Sequence, residues 1–325
     1  MFPLSKFQYT TPLLILLSIA LVVAQMILDD ANVYALWTNW TFAGIISVGI
    51  WYVTKLYKLC GVNEGKSITI SWPLLCACLN FSLCHFPYTE HFWWGILLII
   101  AMLSALAILL SLWQGTSTVG WHLVIGMLIG FTSTLLPHTL LWLLLLPLVD
   151  YHMRSWSWRN ASGTLTGAVL SIWIVYCTLF LWEEYMGPTA SGLFSADQVL
   201  RNYALLIDPE NFNLMSVGFD LWQLLFLSLM ALLVIIYSIS ALLLNVGNSI
   251  RTDASISLIS TLSISMVVLL FFDVTHLSLY ISLLALFLSI QLTIHQANVQ
   301  TAFNEWWTLF IILAMMSLTA LPLWL

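Results

Sequence analysis

Long apolar runs, almost free of charged residues, constrain the fold of this chain more than any other feature. Only 7% of its 325 residues are charged, whereas soluble domains carry about 25%. A soluble fold with so few charges could not cover its own surface, so the surface must face lipid. The 17 Trp and 11 Tyr residues are types that favour membrane interfaces. The sequence therefore predicts an all-α, polytopic transmembrane helical bundle.

A helix that crosses the membrane needs about 20 mostly apolar residues. The sequence offers eleven candidate segments, which we assign to a single transmembrane domain over residues 1–325. They are residues 12–28, 37–55, 67–85, 93–113, 119–135, 138–150, 163–182, 219–244, 255–272, 277–294 and 306–323. We expect the first to be an uncleaved anchor rather than a secretory signal, because its apolar run continues to Leu28.

The stretch from 119 to 150 is the least regular of these. It holds no lysine, arginine or carboxylate before Asp150, and Pro137 divides it into two runs that are each short for a full span. Two spans and a re-entrant hairpin both fit this pattern. Either arrangement returns the chain to the side from which it came, so the topology of the later segments is the same.

The lysines and arginines predict the orientation of the segments, because cytoplasmic loops carry an excess of them. With the N-terminus inside and the C-terminus outside, only Arg201 of the eight basic residues falls outside. The others are Lys6, Lys55, Lys58, Lys66, Arg154, Arg159 and Arg251. We therefore expect a multi-pass protein of a bacterial inner (cytoplasmic) membrane.

One soluble segment is long enough to fold, residues 183–218, which this topology places outside. Its tetrapeptide Ser-Ala-Asp-Gln at 195–198 is typical of a helix start, with Ser195 as the cap. Val199 and Tyr203 lie on a partly apolar face of the segment that follows. We expect a short amphipathic helix that lies on the outer surface.

The cysteines and the remaining motifs exclude several classes of function. The five cysteines are Cys60, Cys76, Cys78, Cys84 and Cys177. Their number is odd and their spacing matches neither a disulfide framework nor a paired zinc site, so we expect five small buried apolar residues. The chain has no Walker A motif and no GxGxxG motif, and its net charge is −6. We therefore expect no cofactor, no metal and no nucleic-acid partner.

Several titratable residues at the predicted outer ends of the segments are candidate catalytic residues. They are Asp29, Asp30, His138, Asp273 and His276. Carboxylates and imidazoles on one side of a membrane can act as general acid and base or hold a divalent cation. Alternatively, short outer turns need polar residues, and acids are favoured where basic residues are excluded. The acidic pair after the first segment also resembles that of multi-spanning polyprenol-phosphate glycosyltransferases, although the loop 29–36 is too short for their juxtamembrane helices.

Polar residues inside the apolar segments are costly in lipid and often have a function. Asn80 and Gln291 are expected to hydrogen-bond a neighbouring helix. His122 lies near a predicted inner end, where its ring is expected to reach the headgroups. No charged residue lies near the middle of a predicted span, which argues against ion-coupled transport.

The most distinctive local motif is RSWSWR at residues 154–159, at the predicted inner boundary. Arg154 and Arg159 bracket Trp156 and Trp158. Arginine can hold a lipid phosphate with two hydrogen bonds, and tryptophan settles at the level of the headgroups. The motif predicts a lipid-binding site made of these four residues, with ordinary anchoring at the interface as the alternative.

This motif belongs to a longer pattern in which the proline-broken pair of segments around Pro137 precedes it and Gly167 follows it in the next helix. A Ser-Lys-Phe lead at residues 5–7 and a later inner loop with Arg251 complete the pattern. In this layout the chain resembles an uncharacterised Bacteroidetes family of multi-spanning inner-membrane proteins of similar length, a domain of unknown function. The resemblance implies the membrane architecture and no established activity.

Two classes of function remain open at this point. The first is a multi-pass component of bacterial cell-envelope biogenesis that acts as a scaffold or assembly partner, with membrane lipids and envelope proteins as its partners. Short loops and the lack of a catalytic motif favour it. The second is an enzyme or carrier that acts on a lipid-linked, polyprenol-type intermediate, and the outer acids and histidines favour that one.

Overall fold

A computed structural model describes most of the chain after residue 91. The described residues are 92–113, 118–134, 136–186, 195–204, 221–243, 250–272 and 277–298, with Ala20, Lys55, 306–307, 310–311, 313–315 and 317–318. Over these residues the chain forms helices and no strand, which confirms the all-α class there. The predicted segments 12–28, 37–55 and 67–85 lie outside the described residues, apart from Ala20 and Lys55.

The described helices follow the predicted apolar runs to within a few residues at each end. In chain order they are α1 (Phe92–Ser111), α2 (Val119–Ser133), a 3-10 helix (Pro137–Leu140), α3 (Leu141–His152), α4 (Trp158–Met186), α5 (Ala196–Ala204), α6 (Leu221–Leu243), α7 (Ile250–Phe272) and α8 (Leu277–Asn298). The predicted and observed bounds agree because the length of an apolar run and the polar residues that flank it can be read directly from the sequence.

Three of the described helices are long and apolar enough to cross a membrane. The candidate stretches are Trp158–Tyr185 in α4, Leu221–Ala241 in α6 and Asp253–Leu270 in α7. Shorter apolar stretches occupy Ile100–Ser111, Val119–Ser133 and Leu283–Leu292. Length and composition therefore support a membrane protein.

The residues divide into two compact units. One unit contains α1 to α5, and the other contains α6, α8 and α7 up to Val267. In the first unit, α2 packs most closely against α4 and also contacts α1. In the second unit, α8 packs against α6.

Backbone contact between α2 and α4 forms the centre of the first unit. A methyl group on Gly126 would collide with the carbonyl of Thr164, and one on Gly130 would collide with the carbonyl of Ala168. From the other side, a methyl group on Gly167 would collide with the carbonyl of Leu123. Gly126 and Gly130 are four residues apart, as are Gly163 and Gly167, so each helix carries a GxxxG motif that permits close approach in lipid. The pairing also shows that α2 and α4 run parallel.

The chain returns between these parallel helices through the hairpin of α2 and α3. Pro137 occupies the first position of the 3-10 helix that joins them, which confirms the predicted break there. Helix α2 has 15 residues and α3 has 12, so they rise about 22 Å and 18 Å. Both are shorter than the hydrocarbon core of about 30 Å.

In the second unit, polar side chains join α6 to α8. Every side chain from Leu283 to Leu292 is buried, as is usual for a helix that is apolar on all sides. Gln291 Nε2 donates to Ser238 Oγ at 2.8 Å, which confirms the predicted hydrogen bond to a neighbouring helix. Near the end of α8, His295 Nδ1 lies 2.7 Å from Ser240 Oγ, and its ring meets Tyr237 edge to face.

The expectation of burial is wrong for Cys177, which is partly exposed on α4. The stretch in α4 is the least buried of the three candidate stretches, so most of its surface is free to face lipid, and a thiol is apolar enough for that. The other four cysteines lie outside the described residues.

Candidate functional site

A buried ion-pair geometry links the start of α2 to the end of α3. His122 Nε2 lies 3.1 Å from Asp150 Oδ1, and both side chains are at most 3% exposed. The other ring nitrogen, Nδ1, lies 3.0 Å from the Thr118 carbonyl and 3.2 Å from the Thr118 hydroxyl. The expectation that His122 reaches the headgroups is therefore wrong. Its ring is turned inward because Asp150 and Thr118 offer it partners at both nitrogens.

Two further side chains extend this pair toward the start of α4. Ser155 Oγ donates to Asp150 Oδ1 at 3.2 Å. Asn160 Nδ2 donates to the Ser155 carbonyl at 2.7 Å and lies 3.5 Å from Thr118 Oγ1. We call Thr118, His122, Asp150, Ser155 and Asn160 the His–Asp cluster. It fastens α2, the end of α3 and the first turn of α4 to one another.

The end of α3 has the hydrogen bonds of a Schellman motif. The amide of Ser155 donates to the Asp150 carbonyl at 2.9 Å, and the amide of Arg154 donates to the Tyr151 carbonyl at 3.1 Å. Arg154 occupies the position at which glycine is usual, with φ of 55°. A side chain in this left-handed region costs about 1–2 kcal/mol. The cluster residues Asp150 and Ser155 hold the turn from both sides of Arg154.

The four residues predicted to bind lipid lie on the outside of this turn. Arg154, Trp156, Trp158 and Arg159 are all exposed, whereas Ser155 between them is buried. Trp158 is 81% exposed, and its ring lies 5.6 Å from that of Trp156. The guanidinium of Arg154 lies 6.0 Å from the centre of the Trp113 ring. We call the four residues the Arg–Trp surface.

The first turn of α4 continues this surface. Ser157 caps the helix, because its hydroxyl accepts the Asn160 amide at 3.1 Å. The amides of Trp158 and Arg159 have no acceptor within the helix, as is general for a first turn. This end of α4 therefore carries a partial positive charge in addition to the Arg159 guanidinium.

At the opposite end of the first unit, α5 docks against α2 and α4. The Ser195 hydroxyl accepts the Gln198 amide at 2.9 Å, which confirms the predicted cap. The Glu183 carboxylate at the end of α4 accepts the Ala196 amide at 2.9 Å. Val199 is buried, whereas Asp197 and Arg201 are exposed, so the predicted amphipathic helix is present.

Two side chains of α5 bind the end of α2. Asn202 Nδ2 donates to the carbonyl of Thr134, which follows α2, at 3.1 Å. Tyr203 OH lies 2.8 Å from Ser133 Oγ. Burial raises the pKa of Tyr203 to about 12, although the hydrogen bond with Ser133 lowers it. These contacts satisfy polar groups that a helix leaves open at its end.

Only one of the five candidate catalytic residues lies in the described part of the chain. His138 is buried in the 3-10 helix, 4% exposed. The other four, Asp29, Asp30, Asp273 and His276, lie outside the described residues. The predicted meeting of Asp29, His138 and Asp273 therefore stays a prediction. Among the described residues, no three His, Cys, Asp or Glu side chains come together as ligands of a metal would.

Sequence reasoning missed the His–Asp cluster and the glycine contacts. His122 and Asp150 are 28 residues apart, and neither shows its partner in a linear pattern. The two GxxxG motifs did provide a signal, because they occur in apolar segments and predict close helix contact.

Comparison of the chain with protein-family models, with curated proteins and with solved structures returned no match.

Proposed function

We propose that this protein is a multi-pass component of a bacterial inner membrane and serves as a scaffold or assembly partner in cell-envelope biogenesis. The proposal includes eleven membrane segments, an N-terminus inside and a C-terminus outside. It also includes membership of the uncharacterised Bacteroidetes family that the sequence resembles. The three apolar helices support the membrane location, and the basic residues support the orientation.

The structural use of the buried polar groups carries the proposal. In the first unit, His122 Nε2 bonds to Asp150 on another helix, while Nδ1 bonds to Thr118 at the start of its own helix, and Ser155 also bonds to the Asp150 carboxylate. At the other end of this unit, Glu183 and Tyr203 bond in the same way. Groups engaged in this way hold the described helices of that unit in one arrangement, and these particular groups are not free to act on a substrate. An arrangement of this kind with exposed apolar helices suits a protein that holds others in place.

Complementation of a deletion strain tests this function. A scaffold predicts that Asp29→Asn, His138→Gln and Asp273→Asn restore growth and envelope integrity at wild-type protein levels. It also predicts that Gly126→Leu, which forces α2 away from α4, does not restore them. Complete loss of function in a well-folded Asp29→Asn variant would instead support an enzyme with an outer site.

A second candidate function is an enzyme or carrier for a lipid-linked, polyprenol-type intermediate. The outer acids and histidines favour it in the sequence, and one observation at the predicted inner end of the first unit favours enzyme chemistry separately. The Thr118 hydroxyl, His122 and Asp150 form a chain of hydrogen-bonding groups, 3.2 Å and 3.1 Å apart, like that of a nucleophile, a base and the carboxylate that orients the base. Against this, Nδ1 lies closer to the Thr118 carbonyl than to its hydroxyl.

Replacement of Thr118 separates the two candidates. Thr118→Val removes the hydroxyl and keeps the shape of the side chain, whereas Thr118→Ser keeps the hydroxyl. An enzyme that uses this hydroxyl loses function with valine and keeps it with serine. A scaffold keeps function with both variants, provided that the purified proteins remain folded.

A further inference from the structure

We propose that the Arg–Trp surface is a binding site for the phosphate of an anionic membrane phospholipid, and that the His–Asp cluster positions Arg154 for it. The inference rests on the proposed membrane location and adds a ligand to it. Its evidence comes from the charge, the backbone conformation and the aromatic exposure of residues 150–160.

Positive charge accumulates at this surface, and the described residues supply no counter-ion for it. Arg154 and Arg159 are exposed, and neither forms an ion pair with a carboxylate among the residues that the structure describes. The nearby carboxylate of Asp150 is buried and bonded to His122 and Ser155. Arg159 also stands in the first turn of α4, where the partial charge of the helix end repels a cation. An anion bound here would stabilise all of these groups together.

The conformation of Arg154 indicates that its side chain has a role at this position. Glycine would close the Schellman motif without strain, yet the chain has arginine there at φ of 55°. Strain of this kind occurs at binding sites, where the surrounding structure holds it in place. Here Asp150 and Ser155 supply that structure through a backbone bond and through the Ser155 hydroxyl, which contacts both the carbonyl and the carboxylate of Asp150.

The aromatic residues identify the anion as a membrane lipid. Trp156 and Trp158 are exposed on the same surface, and indole rings prefer the headgroup level of a membrane to water. A free phosphate ion has no apolar part that could contact these rings. Two guanidinium groups beside two interfacial indoles match a phosphodiester headgroup that continues into an acyl region.

Lipid retention by purified full-length variants tests the site. Each protein is reconstituted in nanodiscs of phosphatidylglycerol and phosphatidylcholine, extracted in mild detergent, and the retained phosphatidylglycerol is counted by native mass spectrometry. We expect Arg154→Lys to weaken phosphatidylglycerol retention by about tenfold, equivalent to roughly 1.4 kcal/mol. Lysine keeps the charge but loses the paired hydrogen bonds of the guanidinium. Arg201→Lys on α5 is the matched control, and we expect it to retain lipid as the wild type does.

Two further variants separate a lipid site from a structural role. Arg154→Gly relieves the left-handed strain, so we expect an unchanged or higher melting temperature together with loss of the bound lipid. Asp150→Asn keeps the shape of the positioning group and weakens its bond to His122, so we expect partial lipid loss with both arginines intact. Inorganic phosphate added in excess is expected not to displace the lipid.

Clear outcomes would overturn the proposal. If Arg154→Lys and Arg154→Gly both retain phosphatidylglycerol as the wild type does, Arg154 binds no lipid phosphate. If phosphatidylcholine is retained equally well, the surface is an ordinary aromatic anchor. Should Arg154→Gly fail to fold, the lysine variant decides the matter. These results are independent of complementation, so failure of the lipid site and failure of the scaffold function are distinguishable.

Discussion

In the first unit, a few buried polar residues determine much of how the helices are arranged. His122 and Asp150 are both removed from solvent, and each is a hydrogen-bonding partner of the other. Burial of an ion pair contributes little net stability, but removal of one partner leaves the other buried and unsatisfied. The His–Asp cluster therefore acts mainly by excluding other arrangements of α2, α3 and α4.

Removal of the carboxylate at position 150 tests this role. We expect Asp150→Ala to destabilise the protein by about 3–5 kcal/mol, because His122 and Ser155 both lose their acceptor. Thermal unfolding in detergent measures the change. Glu184→Ala is the control, since Glu184 is exposed on α4 and its loss should have little effect. Equal melting temperatures for the two variants would show that the pair has no structural role.

The sequence predicted the exposed residues of this region better than the buried ones. Arg154, Trp156, Trp158 and Arg159 stand together in the chain, so their types and spacing predicted a shared surface. The partner of His122 comes from another helix, and only the fold of the α2–α3 hairpin brings Asp150 beside it. Local patterns contain no information about such a contact, and the position of His122 near a helix end instead predicted exposure.

At the scale of the elements, the close crossing of α2 and α4 explains why glycines recur in both helices. The hydrophobic effect gives little drive for two helices to associate in lipid, so close backbone packing must supply it. The glycines at 126, 130 and 167 each face a backbone carbonyl of the other helix. A side chain at any of these positions would separate the pair.

A pair of glycine replacements in α2 tests this packing. We expect Gly126→Ala to destabilise the protein by about 1–3 kcal/mol, because the added methyl group overpacks the crossing. Gly120→Ala is the matched control, since nothing lies within 4 Å of the added atom. Alanine also favours the helix by about 0.5–1 kcal/mol there. Melting temperatures that fall equally in both variants would contradict the close crossing.

The docking of α5 predicts a change in the free energy of unfolding at alkaline pH. Tyr203 has a folded-state pKa of about 12, above the ordinary value of 10. Above pH 10 the unfolded chain therefore loses the phenolic proton while the folded chain keeps it. The free energy of unfolding should fall as the pH rises from 10 to 12.

The Tyr203→Phe variant has no phenolic proton to lose, so its melting temperature should fall less over the same range than that of the wild type. Near neutral pH the variant should be less stable by about 1 kcal/mol, because it loses the hydrogen bond with Ser133. Melting curves at several pH values measure both effects. Parallel pH profiles for the two proteins would show that Tyr203 is not buried against α2.

Helix bounds and the cap of α5 were predictable because they depend on neighbouring residues. Apolar runs ended at polar residues in the sequence and in the structure, and Ser195 capped the helix that its motif predicted. The parallel arrangement of α2 and α4 was less accessible. It depends on which helices touch, and the one signal for that contact, the pair of GxxxG motifs, was missed.

At the scale of the whole molecule, apolar composition predicted the class of protein, and the described helices agree with it. The orientation of the chain depends on a different kind of information. The lysines and arginines of the loops decide, during insertion, which side of the membrane each loop occupies. The final fold shows only how the helices are directed relative to one another. The structure supplies such directions within a unit, since α2 and α4 run parallel and place Thr118 near Asn160 at one end.

The topology prediction combines the charges of the loops with the relative directions of the helices. Residues 154–159 lie at the start of α4 and carry two arginines, so we place this end of the first unit in the cytoplasm. Helix α5 follows α4 and binds the other end of α2, so we place it outside.

Reporter fusions at Asn63 and Ser191 should then report opposite sides of the membrane, the first inside and the second outside. Fusions at Ser157 and Ser191 should also differ, because α4 alone separates them and is long enough to cross. Fusions that report the same side at Asn63 and Ser191 would refute the predicted topology. If Ser157 and Ser191 still differed, α4 would remain a crossing helix and the error would lie in the segments before it.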